Sequence, residues 1–142
     1  MNIAFVGSRA FSDSELVRRS VEALRAKHGD FRLVSGGAKG ADSLGEHWAR
    51  TLMPDQKPII FLPNSEKAKA VFGDSFRDRA FGRNGWIVDN AEVVVAFFQG
   101  AAMSGGTLNT VNHAKRQGKM VYAYFAKTGQ WVTIPAATTT GL

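Results

Sequence analysis

Residues 34–49 read "VSGGAKGADSLGEHWA". Val34 and Ser35 end an apolar run, and from Ala41 onward the pattern is helical. Between them stand Gly36, Gly37 and Gly40 around Lys39. Glycine is the residue most costly to order, and it is useful where backbone turns sharply or approaches something closely. A strand that hands over to a helix through three glycines therefore points to an anionic ligand on backbone N–H groups at the helix N-terminus. A tight turn before a capped helix is the plain alternative. Lys39 puts a positive charge beside such a ligand. Asp42 does the opposite, so its carboxylate either caps the helix or accepts hydrogen bonds from a ribose hydroxyl or a base. The spacing fits neither the P-loop nor G-x-G-x-x-G.

The same strand–turn–helix unit recurs on both sides of this stretch. Asn2–Val6 reads as a short buried strand ahead of Gly7-Ser8-Arg9. "SDSE" at 12–15 has the form of a capping box, and Leu16, Val17, Val21 and Leu24 then mark a helix that stops near Gly29. Phe31–Ser35 is the second strand, Ala41–Leu52 the second helix and Lys57–Leu62 the third strand. Asn64–Gly82 is polar with scattered Phe72, Phe76 and Phe81, which fits short helices or a mobile lid. Arg83–Asp89 is helical, Glu92–Phe98 a β-branched strand, Thr107–Gln117 a helix and Lys119–Phe125 a strand. Gln130–Ile134 adds an edge strand, and residues 135–142 form a frayed tail.

Short continuous apolar strands alternating with helices predict an α/β fold: a Rossmann-like, doubly wound, mainly parallel sheet in three layers. One domain covers residues 1–134. Ligands of such sheets bind beyond the carboxyl ends of the strands, where the strand order reverses. The informative residues should follow strands, and they do. Ser8 and Arg9 offer a hydroxyl and a guanidinium to a phosphate. Arg83 and Asn84 pair an anion fork with an amide that reads a base or a backbone. "SGGTLNT" at 104–110 repeats the glycine pattern, with Gly105 and Gly106 freeing the backbone and Thr107 placed to cap the helix or bind phosphate. Thr110 lies one turn further on the same side.

The chain has 142 residues, of which 44% are hydrophobic and 21% charged, a globular profile. No apolar run approaches the roughly 18 residues of a membrane span, and "MNIAFVGSR" lacks the form of a secretory signal. Cysteine is absent, which excludes disulfides, thiolate metal sites and cysteine nucleophiles. A cytoplasmic protein without a membrane partner is expected. The net charge of +6 suits an anionic partner, nucleotide or nucleic acid, and also serves simple solubility. His28, His47 and His113 have no ligand spacing, so no metal or other cofactor is expected. No G-x-S-x-G elbow is present. Trp48, Trp86 and Trp131 read as core residues rather than base-stacking platforms.

Together "VGSRAF", "LVSGGAKGADSLGEHWA", "GRNGWIVDNAEVVVAF" and "SGGTLNTVNHAKRQGKMVYAY" resemble the SLOG superfamily of Rossmann-like domains, and within it the small single-domain, YspA-like branch. The resemblance implies a nucleotide-derived ligand and a homo-oligomer. It implies that Gly7, Ser8, Arg9, Gly36, Gly37, Gly40, Asp42, Arg83, Asn84, Gly105, Gly106 and Thr107 fall on motif positions. Three branches of the superfamily suggest three functions. Lonely-Guy-type phosphoribohydrolases cleave nucleoside monophosphates with the glutamate of P-G-G-x-G-T-x-x-E, but here Thr110 stands in that place and cannot supply the carboxylate. The DNA-processing proteins of natural transformation share the Arg-Asn segment and bind single-stranded DNA, although no file of aromatics for stacking bases is evident here. SLOG domains of bacterial conflict systems bind ADP-ribose-like signalling nucleotides. The expectation drawn is a nucleotide-derived small molecule bound without turnover, with single-stranded nucleic acid as the alternative partner.

Overall fold

The computed structural model describes residues 1–137; the last part of the expected tail, 138–142, lies outside the described residues. In chain order the elements are β1 (Asn2–Gly7), α1 (Ser14–His28), β2 (Arg32–Ser35), α2 (Ala41–Leu52), β3 (Ile59–Ile60), α3 (Glu66–Phe72), α4 (Phe76–Asp89), β4 (Val93–Phe98), α5 (Gly105–Arg116), β5 (Met120–Phe125) and β6 (Gln130–Ile134). They form one sheet in the order β3-β2-β1-β4-β5-β6. Every pairing is parallel except β5 with β6. This is the Rossmann-like α/β fold expected, with the antiparallel edge strand added.

Strand periodicity divides the core. Ile3 and Phe5 of β1 face α1 and α2, in a cluster with Leu33, Val95 and Phe97. Ala4 and Val6 face α4 and α5, with Val94, Ala96 and Val121. All six residues of β4 are buried because helices cover both of its faces. Burying each large side chain of this kind stabilises the fold by about 1.5–3 kcal/mol. β1 and β4 are neighbours in the sheet although α1, β2, α2, β3, α3 and α4 separate them in the chain. The chain order reverses between them, and their carboxyl ends open on one crevice.

Several boundaries differ from the sequence reading. The expected capping box at 12–15 does not form. Asp13 is the N-cap of α1 and accepts from Leu16 N–H at 3.1 Å, while Glu15 pairs with Arg18 instead. Asn64–Gly82 contains α3 and the first half of α4, which begins at Phe76 rather than Arg83. Ser65 and Ser75 cap these helices from their hydroxyls, a signal present in the sequence. α5 begins at Gly105, so Ser104 and not Thr107 takes the N-cap position. β3 is reduced to Ile59–Ile60. Trp48 and Trp86 pack as expected, but Trp131 on the edge strand is 43% exposed.

Candidate functional site

The crevice at the reversal point holds a cleft of about 690 Å³. Loops after β1, β2 and β4 supply one wall, and α4 and the first turn of α5 supply the other. Of the residues singled out in the sequence, Gly7, Ser8, Arg9, Gly36, Gly37 and Asp42 line it from the first wall. Arg83, Asn84, Gly105, Gly106, Thr107 and Thr110 line it from the second. Lys39 and Gly40 do not. Lys39 is exposed outside the cleft.

Gly40 explains why the first glycine-rich turn differs from what its sequence suggests. It has φ +83°, and a Cβ there would lie 2.3 Å from the Ser8 carbonyl oxygen. The loop after β1 is therefore pressed against the N-terminus of α2, and Ala41 N–H points to Ser8 C=O at 3.5 Å. At the start of this helix, where the sequence suggests an anion, the Ser8 carbonyl lies against Gly40 and the Ala41 N–H.

Asp42 neither caps α2 nor stands free for a ribose hydroxyl. Its Oδ2 accepts Gly36 N–H at 2.9 Å and its Oδ1 accepts Gly7 N–H at 3.2 Å, so one carboxylate joins the loops after β1 and β2. Burial pushes its pKa up to about 6, against the opposing pull of the Gly36 N–H and the nearby Arg83 charge. Arg83 is buried too, which lowers its pKa from the ordinary guanidinium range. Its Nη1 donates to Gly36 C=O at 2.6 Å and Phe61 C=O at 2.9 Å, and its Nε donates to Asn84 Oδ1 at 3.1 Å. Nη2 has no protein partner among the described residues. No fully buried side-chain polar atom there lacks one, so Nη2 reaches solvent at the cleft. Asn84 in turn donates from Nδ2 to Gly106 C=O and Asn109 Oδ1, tying α4 to the start of α5. The Arg-Asn pair is a brace first, with a single guanidinium nitrogen left over.

The start of α5 is the open one. Ser104 makes no side-chain cap hydrogen bond. The first N–H groups of any α-helix have no partner within the helix, and Gly105, Gly106 and Thr107 at the start of α5 line the cleft. A Cβ built on Gly106 meets no atom within 4 Å, and the same holds at Gly105, whose φ is +65°. The positive end of the helix dipole adds to an environment suited to an anion. Arg9, exposed on the facing loop, makes no ion pair among the described residues.

Thr110 is 2% exposed, and its hydroxyl donates back to Gly106 C=O at 3.2 Å. Glu46, the other carboxylate near the glycine-rich turn, accepts the Ser35 hydroxyl in the interior and does not line the cleft. Among the described residues no group of His, Asp and Glu side chains is arranged to hold a metal ion. None of the helices in those residues is long and apolar enough to cross a membrane. Sequence reasoning missed Leu62, Asn64 and Phe76, which also line the cleft. The scattered phenylalanines of 64–82 were the available signal, but without a helix frame their direction was illegible.

Strand order and cleft position define a Rossmann-like α/β domain with a crevice at the point where the strand order reverses. Residues 1–66 match the family model of the YspA, cpYpsA-related SLOG family, YAcAr. The SLOG resemblance read from the sequence is borne out over that part of the chain. No curated protein sequence matches significantly. Among solved structures, one of DNA processing protein A from Helicobacter pylori, described for its single-stranded DNA binding mode, superposes with a TM-score of 0.63. The identity is 20%, and the match covers 87% of this chain and 65% of that one. At this identity the likeness concerns the fold, and the chain spans only about 65% of its neighbour's length.

Proposed function

We propose that the protein binds a nucleotide-derived small molecule, of nucleotide, phosphoribosyl or ADP-ribose-like type, in the cleft between β1 and β4. It acts as a sensor or sequestering protein and does not turn the ligand over. The observation that carries this reading is the uncapped first turn of α5. Ser104 leaves that turn without a side-chain cap, and Gly105, Gly106 and Thr107 line the cleft together with Arg9 and Arg83, whose Nη2 is spare. A phosphate is the anion that such a turn accommodates best. The site residues are then Ser8, Arg9, Arg83, Gly105, Gly106 and Thr107, with Gly7, Gly36, Gly37, Asp42, Asn84 and Thr110 shaping the walls. The family resemblance adds the expectation of a homo-oligomer, which light scattering on the purified protein tests.

Single-stranded nucleic acid is the second reading. The fold neighbour's described DNA binding favours it, as do the net charge of +6 and the half-exposed Phe76 on the cleft wall. Salt separates the two. A strand that contacts several phosphates loses affinity steeply as counterions return, whereas a mononucleotide shows a shallow slope. Calorimetry with nucleoside monophosphates and ADP-ribose, beside anisotropy with a labelled oligonucleotide, each at two salt concentrations, decides. Salt-sensitive oligonucleotide binding without nucleotide binding reverses the order of the two readings.

A further inference from the structure

Part of the cleft lining is apolar. Leu62 is 50% exposed and Phe76 49% exposed, and both face the cleft. Large apolar side chains half in water at a cleft wall are places where an apolar ligand surface recovers hydration free energy. Between them in sequence lies Asn64, whose amide orientation is fixed. Arg79 Nη2 donates to Asn64 Oδ1 at 3.2 Å, and a guanidinium has donors only, so the oxygen must face it. Nδ2 has no partner among the described residues, and Asn64 lines the cleft.

Arg79 ties several of these segments together. Its Nε donates to Pro63 C=O at 3.1 Å, its Nη1 donates to the carbonyls of Gly73 and Asp74, and its guanidinium carbon lies 6.0 Å from the Phe76 ring centre. Pro63, Asn64 and Phe76 all line the cleft, while Arg79 does not. One side chain thus links the Phe76 ring to the oriented Asn64 amide and to the backbone of Pro63, next to Leu62 in the chain. A flat heteroaromatic ring with acceptors on its edge matches that set. A bare sugar phosphate has no surface to offer it.

We propose that Leu62, Asn64 and Phe76 form a nucleobase subsite: the base stacks on Phe76 against Leu62 and accepts a hydrogen bond from Asn64 Nδ2, with Arg79 as the positioning residue. This rests on the reading of the cleft as a nucleotide site and narrows it to ligands that carry a base. The test compares the four nucleoside 5′-monophosphates and ADP-ribose with ribose 5-phosphate by calorimetry on the full chain. At least one base-bearing ligand should bind tenfold or more tighter than ribose 5-phosphate. Phe76→Ala should weaken that ligand by about tenfold, in the range found for removing a stacking aromatic. Asn64→Asp keeps the partner for Arg79 but replaces the donor with an acceptor, and should also narrow the ratio to ribose 5-phosphate. Equal affinities with and without the base overturn the subsite and leave the phosphate site standing. A high ratio that survives both substitutions overturns it as well, because the base then lies elsewhere. If no base-bearing ligand and no ribose 5-phosphate binds, the nucleotide reading itself fails, and the subsite with it.

Discussion

Asp42 and Arg83 grip the two ends of the same residue. The carboxylate accepts the N–H of Gly36 at 2.9 Å, and the guanidinium donates to its C=O at 2.6 Å. Gly36 has no side chain because there is no room for one, since a Cβ would lie 2.7 Å from Arg83 Nη1 and 3.1 Å from Asp42 Oδ2. The two charged side chains reach this peptide from helices on opposite faces of the sheet. They fix the cleft wall between those helices.

Arg83→Met removes the donor to two carbonyls and leaves the buried Asp42 carboxylate without its compensating charge. Groups stranded in this way cost about 2–4 kcal/mol together. Urea denaturation at neutral pH should report that loss. A double-mutant cycle with Asp42→Asn should be strongly non-additive, because the second substitution removes the charge that the first one strands. Additive effects would show that the two side chains act independently.

The raised pKa of Asp42 fixes the sign of its pH dependence. Its ordinary value is 3.8 and its folded value about 6, so the folded state holds the proton longer than the unfolded chain. The stabilisation is fully present below pH 3.8 and is lost as pH rises through 6, amounting to about 3 kcal/mol across that window. Other carboxylates contribute their own trends, so the useful quantity is the difference in unfolding free energy between wild type and Asp42→Asn. That difference should shift against the wild type from pH 4 to pH 7. A constant difference over the range would place the titration elsewhere.

Two glycines separate ligand contact from folding. Gly106→Val projects into space empty of protein, so the melting temperature should hold while ligand affinity falls at least tenfold. Gly7→Val drives a Cβ to 2.5 Å from the Ala41 side chain and 2.7 Å from the Phe97 carbonyl, and should unfold the protein or cost several kcal/mol. A folded Gly106→Val variant that binds as tightly as wild type would move the phosphate away from α5.

Bound nucleotides should be recovered intact. Cleavage of an N-glycosidic bond develops positive charge on the ribose, which a carboxylate stabilises. Of the cleft-lining residues only Asp42 carries one, and both of its oxygens already accept backbone N–H groups. Chromatography after long incubation with nucleoside monophosphates and ADP-ribose checks this. Release of free base at a rate abolished by Asp42→Asn would assign turnover to that carboxylate.

The sequence by itself determined the layered fold. Hydrophobic runs such as "VVVAFF" at 93–98 are readable because burial on both faces of a parallel sheet imposes a local pattern. It also marked the post-strand segments, and most of the residues it singled out meet in one cleft. Local pattern could not say which glycine-rich helix start is open. That was decided when the loop after β1 packed onto Gly40 and left Gly106 uncovered, contacts made between segments distant in the chain. The same holds for Asp42, a carboxylate at a helix start in the sequence and a buried brace between two loops in the fold. It holds again for Asn64 and Phe76, which line the cleft once α3 and α4 form in the stretch that the sequence left open between short helices and a lid. Periodicity records which face of an element is apolar; occupancy of a crevice depends on which elements meet there, and only tertiary packing fixes that.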